Sequence, residues 1–350
     1  MTTTLLEPSA SAETAPIPEA VGYWLLICCA MVAAMILLGG ATRLTESGLS
    51  IVNWRPVTGI LPPLNDAEWE ALFTAYKKSP EFAKVNFWMT VGDFKSIYWL
   101  EYLHRLWGRL IGIVFLLPYL WFVMRRMIPT ALIWQLGGLF LLGGAQGFLG
   151  WYMVKSGLVN EPAVSQYRLA AHLGLAFAIF GLLFWYAVAC FTSRPERCGT
   201  AWIRTGSILI LWAAAITILW GAFVAGLDAG LAYNTFPLMG GRLVPEGILI
   251  NTPWWLNFFE NTAAVQFTHR VLAIGTVSLI LIYWATARNS VMDISVKKAV
   301  TILTVLALCQ LALGIATLLT QVALPLGILH QLGALAVITS AIWLRFKLGD

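Results

Sequence analysis

Glu101-Tyr102-Leu103-His104-Arg105 puts a carboxylate and an imidazole three residues apart, on one face of any helix that contains them. The same spacing returns in Gln266-x-x-His269-Arg270, and His172 and His330 complete the four histidines of the chain. Each lies about a turn inside an apolar segment, where an ionisable group is costly and marks function. A histidine so placed relays protons, bonds a neighbouring helix or ligates a metal. Two pairs of them favour ligation.

The elements that position these residues follow from composition. Of 350 residues, 59% are hydrophobic and 11% charged, and the mean hydropathy is +0.77. A soluble domain cannot hide that much apolar surface, so the chain reads as an all-α polytopic membrane protein embedded in the lipid bilayer. Eight spans can be drawn, at 21–40, 99–124, 133–154, 168–190, 205–227, 262–285, 299–320 and 324–345. Each is near the ~20 residues that cross a bilayer as a helix.

The net charge of +5 needs no nucleic-acid partner, because cationic cytoplasmic loops explain it. Arg125, Arg126, Arg194, Arg197, Arg204, Arg288, Lys297, Lys298, Arg345 and Lys347 fall on the side of the termini. The short opposite loops carry only Lys155, Arg168 and Arg242. Both termini are therefore expected in the cytoplasm of a bacterial inner membrane, although the long first loop adds Arg43, Arg55, Lys77, Lys78, Lys84 and Lys95 outside. Residues 1–20 contain no Lys or Arg, which fits neither a secretory leader nor a transit peptide. The five cysteines have no metal-type spacing and no disulfide framework. Within loop 41–98, Asn65 and Glu68 form a capping-box pattern, followed by an apolar stripe at Trp69, Leu72, Phe73 and Tyr76. A helix packed on the outer ends of the bundle is preferred there to a lid over a cofactor.

The chain repeats. Glu101-x-x-His104-Arg105 matches Gln266-x-x-His269-Arg270, Gln146-x-x-Leu149-Gly150 matches Gln310-x-x-Leu313-Gly314, and His172 matches His330. Glu46-Ser47-Gly48-Leu49 likewise matches Asp228-Ala229-Gly230-Leu231. Four matches in one order predict two tandem, parallel four-helix bundles. The boundaries read as a cytoplasmic tail 1–20, an N-terminal half 21–190, a cytoplasmic linker 191–204 and a C-terminal half 205–345. Inverted transporter repeats need an odd number of spans per unit, which lowers a transporter reading. The parity puts His104, His172, His269 and His330 at one depth, toward the periplasmic side, as ligands on facing helices.

A two-histidine zinc or copper site recruits further ligands, whereas a haem needs two axial side chains and an apolar slot. Glycines 137, 138, 143, 144, 147 and 150 would admit a flat macrocycle, or equally a close helix. Arg43, Arg105 and Arg270 stand where haem propionates would meet them, or where interfacial arginines snorkel. Glu101 titrates and its counterpart Gln266 does not, so the Glu101 half is expected to hold the chemistry unless Glu101 merely pairs with Arg105 or Arg109. A dihaem b-type electron-transfer or quinol-oxidising cytochrome would explain the histidines but not this asymmetry.

With the repeat in view, four stretches resemble the haem A synthase family, in its alphaproteobacterial and mitochondrial branch. They are Gly39-Gly40-Ala41-Thr42-Arg43-Leu44-Thr45, Glu101 to Arg105, Gln146 to Gly157, and Tyr233-Asn234-Thr235-Phe236-Pro237-Leu238-Met239. The resemblance runs from about residue 20 to 345. It implies oxidation of a methyl substituent of haem O to the formyl group of haem A, for cytochrome oxidase biogenesis. It implies a haem b held by His269 and His330, substrate haem O held by His104 and His172, and Glu101 as the catalytic carboxylate. Haem O synthase is the implied upstream partner and the cytochrome oxidase assembly machinery the downstream one, with the electron donor and any homo-oligomer left open. Some members carry a cysteine pair in external loops; residues 41–98 and 227–260 here contain none.

Overall fold

The computed structural model describes residues 17–53, 58–158, 164–192 and 198–349. Residues 1–16 of the tail, Arg55, and Arg194 and Arg197 of the linker lie outside them. Among the described residues the chain is helical with no strand, and eight helices are long and apolar enough to span a membrane. They are α1 (Glu19–Leu44), α4 (Val91–Met124), α5 (Thr130–Gly157), α6 (Gln166–Phe191), α7 (Ala201–Gly226), α9 (Thr262–Ala287), α10 (Ile294–Leu319) and α11 (Leu324–Lys347). Short helices α2 (Asp66–Tyr76) and α3 (Pro80–Lys84) lie between α1 and α4, and α8 (Asn257–Glu260) precedes α9.

The second span differs most from its expected bounds. Its helix starts at Val91, about two turns before 99, because Thr90 and Asp93 close a reciprocal capping box there. Asp93, Lys95 and Ser96 keep that opening polar on one face. The other face buries Phe94, Ile97 and Tyr98 against Trp69, Phe73 and Tyr76 of α2. α2 is capped as expected, with Glu68 N–H donating to Asn65 Oδ1 at 2.9 Å. Its stripe packs on α4, so it is a helix seated on the bundle.

α1 packs on α4 and α6, and α5 packs on the same two helices. α7 packs on α9 and α11, and α10 again on the same two. Between these groups α1 meets α11, α6 meets α7, and α6 meets α11. The crossings are close. A Cβ at Gly40 would overlap Gln331 of α11, and one at Gly226 would stand 2.7 Å from the Gln166 backbone of α6. Small residues let backbones approach where lipid supplies no hydrophobic drive between helices.

Candidate haem-binding site

The four histidines sit on α4, α6, α9 and α11, and each rests its ring edge on a glycine of an adjacent helix. A Cβ at Gly39 would lie 3.1 Å from His104 Cε1, and one at Gly150 3.0 Å from His172 Cε1. In the second group the distances are 3.2 Å from Gly221 to His269 and 2.9 Å from Gly314 to His330. His104 and His172 act on one another electrostatically, as do His269 and His330. His172 thus lies near enough to His104 to act on it, and His330 to His269.

A second layer holds the rings. Gln146 Nε2 donates to the His172 carbonyl at 3.0 Å, and Gln310 Nε2 to the His330 carbonyl at 2.9 Å. The same amide groups lie 3.4 Å from His172 Nε2 and 3.1 Å from His330 Nδ1. Thr42 Oγ1 donates to the Leu38 carbonyl, so it serves as the acceptor for His104 Nδ1 at 3.4 Å. At His104 this acceptor at Nδ1 fixes the tautomer and leaves Nε2 free to ligate, whereas the Gln146 and Gln310 amides donate toward the rings of His172 and His330. The backbones of Gln146 and Thr217 stand as hydrogen-bond partners beside the rings of His172 and His269, while Gln146 Oε1 and Gln310 Oε1 are buried without a protein partner. A buried polar atom without a partner is costly, so these two amide oxygens leave room for a polar group beside His172 and His330. Gly39 and Thr42 entered the sequence reading only as part of the Gly39–Thr45 stretch, without a role, and Gly221 did not enter it. The repeat carries the signal, since Gly39 and Gly221 hold the same place in the two halves.

Glu101 is buried, 3% exposed. Its Oε2 accepts from Ser50 Oγ at 2.7 Å and from the Ile51 N–H at 2.8 Å, and its Oε1 accepts from Arg105 at 2.5 Å. Arg105 also donates to the Ile51 carbonyl at 3.1 Å. The motif thus clamps the segment after α1 onto α4, one turn from His104. The second group builds the same clamp with different chemistry. Gln266 Nε2 donates to the Tyr233 carbonyl at 3.1 Å, and Arg270 donates to Tyr233, Thr235 and Gln266 Oε1. Tyr233 holds the place of Ile51. An amide donates where the carboxylate only accepts.

Arg43 is engaged elsewhere. Its Nη2 donates at 2.8 Å to both carboxylate oxygens of Asp228 and to the Ala225 carbonyl, tying the end of α1 to the end of α7. Arg270 Nε is buried without a protein partner.

Residues 22–342 match the family model COX15-CtaA, described as cytochrome oxidase assembly protein. The chain belongs to the COX15-CtaA family. It is 45% identical to the heme A synthase of Nitrosospira multiformis over 97% of both chains. It is 48% identical to the heme A synthase of Rhodospirillum centenum, over 98% of this chain and 92% of that one. The heme A synthase COX15 of Arabidopsis thaliana is 45% identical, over 94% of this chain and 74% of that one. This family membership makes haem the group against which the paired histidines are read.

Proposed function

We propose that this COX15-CtaA family member is a haem A synthase, an enzyme that oxidises a methyl group of haem O to the formyl group of haem A. The histidine geometry and the names of its relatives support the reading, and the difference between the two halves carries it. The two rings of helices are taken as tandem parallel halves, with both termini in the cytoplasm of the bacterial inner membrane and the histidines toward the periplasm. The C-terminal half holds a resident haem b on His269 and His330. The N-terminal half takes haem O on His104 and His172.

Three observations distinguish a substrate half from a cofactor half. Gly143, Gly144 and Gly147 of α5 would meet nothing within 4 Å with a Cβ added. Their counterparts in α10 are Ala307, Leu308 and Leu311, which fill the same face. Space along α5 suits a group that must come and go. Glu101 stands where the other half has Gln266, and Thr42 supports His104 where the other half has Val224.

Methyl to formyl is a four-electron oxidation of one carbon. Two hydroxylations, each passing two electrons from the carbon to an external oxidant and bringing in one oxygen atom from dioxygen or water, give a geminal diol, which loses water to leave the aldehyde. When bound, the haem b supplies electron transfer to the substrate half. Glu101 does two things with one carboxylate: it holds the segment through Ser50 and Ile51 against α4, and it takes part in the proton movements beside the substrate. Arg270, with its free Nε, would meet a carboxylate tail of the haem b, Arg105 is engaged by Glu101 and the Ile51 carbonyl, and Arg43 holds the halves together. Haem O synthase would supply the substrate, and cytochrome oxidase assembly consumes the product.

Chromatography of haem extracted from the purified protein tests the function. Haem O and haem A beside haem B are expected; haem B alone would support a dihaem cytochrome instead. Glu101→Gln should keep haem binding and lose haem A formation, and full activity in that variant would remove Glu101 from the chemistry. His269→Ala or His330→Ala should abolish the b-haem absorption spectrum.

A further inference from the structure

We propose that Lys155, near the outer end of α5, is a positioning residue that receives a carboxylate tail of the substrate in a small cavity between α4 and α5. The proposal rests on the haem reading above and extends it to one residue. The cavity has a volume of about 190 Å³ and is bounded by Ile51, Val52, Arg105, Trp151, Val154 and Lys155. Two of its lining residues are chain neighbours of the histidine positions: Arg105 follows His104 in α4, and Trp151 follows Gly150, the residue on which His172 rests.

Its two cations are not equivalent. Arg105 already faces Glu101 and the Ile51 carbonyl, so its charge is largely answered. Lys155 Nζ stands over the Trp151 ring, 5.0 Å from the centroid, and among the described residues it has no carboxylate partner. An ammonium held on an aromatic face beside a cavity is a ready partner for an anion drawn from water. The second half lacks this arrangement, because Leu319 and Ile315 hold the places of Lys155 and Trp151. A cation present only in the substrate half suits recognition of a ligand that exchanges. Ile51, whose N–H donates to Glu101, lines the cavity from the segment after α1.

The test uses the full-length protein carrying its own haem b, titrated with ferric haem B and, separately, with haem B dimethyl ester, whose tails are uncharged. Binding is read from absorbance. Lys155→Ala should weaken haem B about tenfold, the effect expected of one charge-assisted hydrogen bond. It should leave the dimethyl ester unchanged, and Lys155→Arg should restore haem B binding. Lys77→Ala, which removes an external cation over Phe73, serves as the control and should change neither ligand. Equal weakening of both ligands by Lys155→Ala, or no change in either, would overturn the assignment while leaving the haem reading intact. If neither ligand binds the wild-type protein beyond its resident haem, the substrate-half reading itself fails.

Discussion

At the scale of single residues, the site is set by what is missing beside each histidine. A ring that touches a glycine at van der Waals distance has its orientation fixed on that side by the neighbouring helix. A methyl group there must push it. Gly314 is the tightest case, with the built Cβ 2.9 Å from His330 Cε1 while Gln310 holds the same histidine at its carbonyl and its ring. Gly314→Ala should therefore displace the imidazole and diminish or shift the b-haem absorption of the purified protein. Gly143→Ala, which meets nothing within 4 Å, should leave that spectrum as it is. Equal spectra in the two variants would mean that the glycine does not set the ring. The sequence made the histidines and Glu101 legible because polar groups in apolar spans stand out. It hid Thr42 and Ser50, whose hydroxyls are ordinary in any loop or helix until a partner 62 or 51 residues away gives them work.

At the scale of elements, apolar length alone located all eight membrane helices, since a bilayer demands it. The two extra turns of α4 were not legible in this way. They are amphipathic against α2 rather than against lipid, so a window tuned to uniform apolarity stops at Asp93 and Lys95. The layer that α2 and α3 form on the opening of α4 encloses Glu81, which is 4% exposed. Tyr76 donates to it at 3.0 Å, and Asn86 in turn donates to Tyr76 at 2.8 Å. Burial pushes the Glu81 carboxyl up from its ordinary 4.5 to about 7, and the charges of Glu101 and Glu46 add to the rise. The folded layer therefore holds a proton that the unfolded segment releases. Its stability contribution is full below 4.5 and is lost as pH rises to about 7. Proteolysis of the segment 58–90 should be slower at about pH 5 than at about pH 8, and Glu81→Gln should flatten the difference. A pH dependence that survives in Glu81→Gln would assign it to another group.

At the scale of the whole molecule, the repeat governs how the parts join, and it also misleads. It aligned Asp228 with Glu46, two acids at the same place after the first helix of each half. Neither alignment nor spacing indicated that Asp228 would reach across to Arg43, 185 residues earlier, because the packing of α1 on α11 and of α6 on α7 brings the C-terminal ends of α1 and α7 together. Asp228 adopts a left-handed backbone, φ 49°, a conformation that Asn and Asp tolerate better than most residues. Asp228→Asn therefore removes the charge without straining the turn. Side-chain exposures of 26% and 60% mark a partly solvated pair, worth about 1 kcal/mol or less. Two roles for Arg43 then separate cleanly. If it ties the halves, Arg43→Ala and Asp228→Asn should each lower thermal stability slightly, and the double variant should lose less than the sum of the two, since both remove one interaction. If it serves haem propionates instead, Arg43→Ala should weaken haem retention while Asp228→Asn does not, and the two effects should add. The geometry favours the first outcome: three acceptor atoms lie 2.8 Å from one nitrogen of Arg43, all of them in the other half.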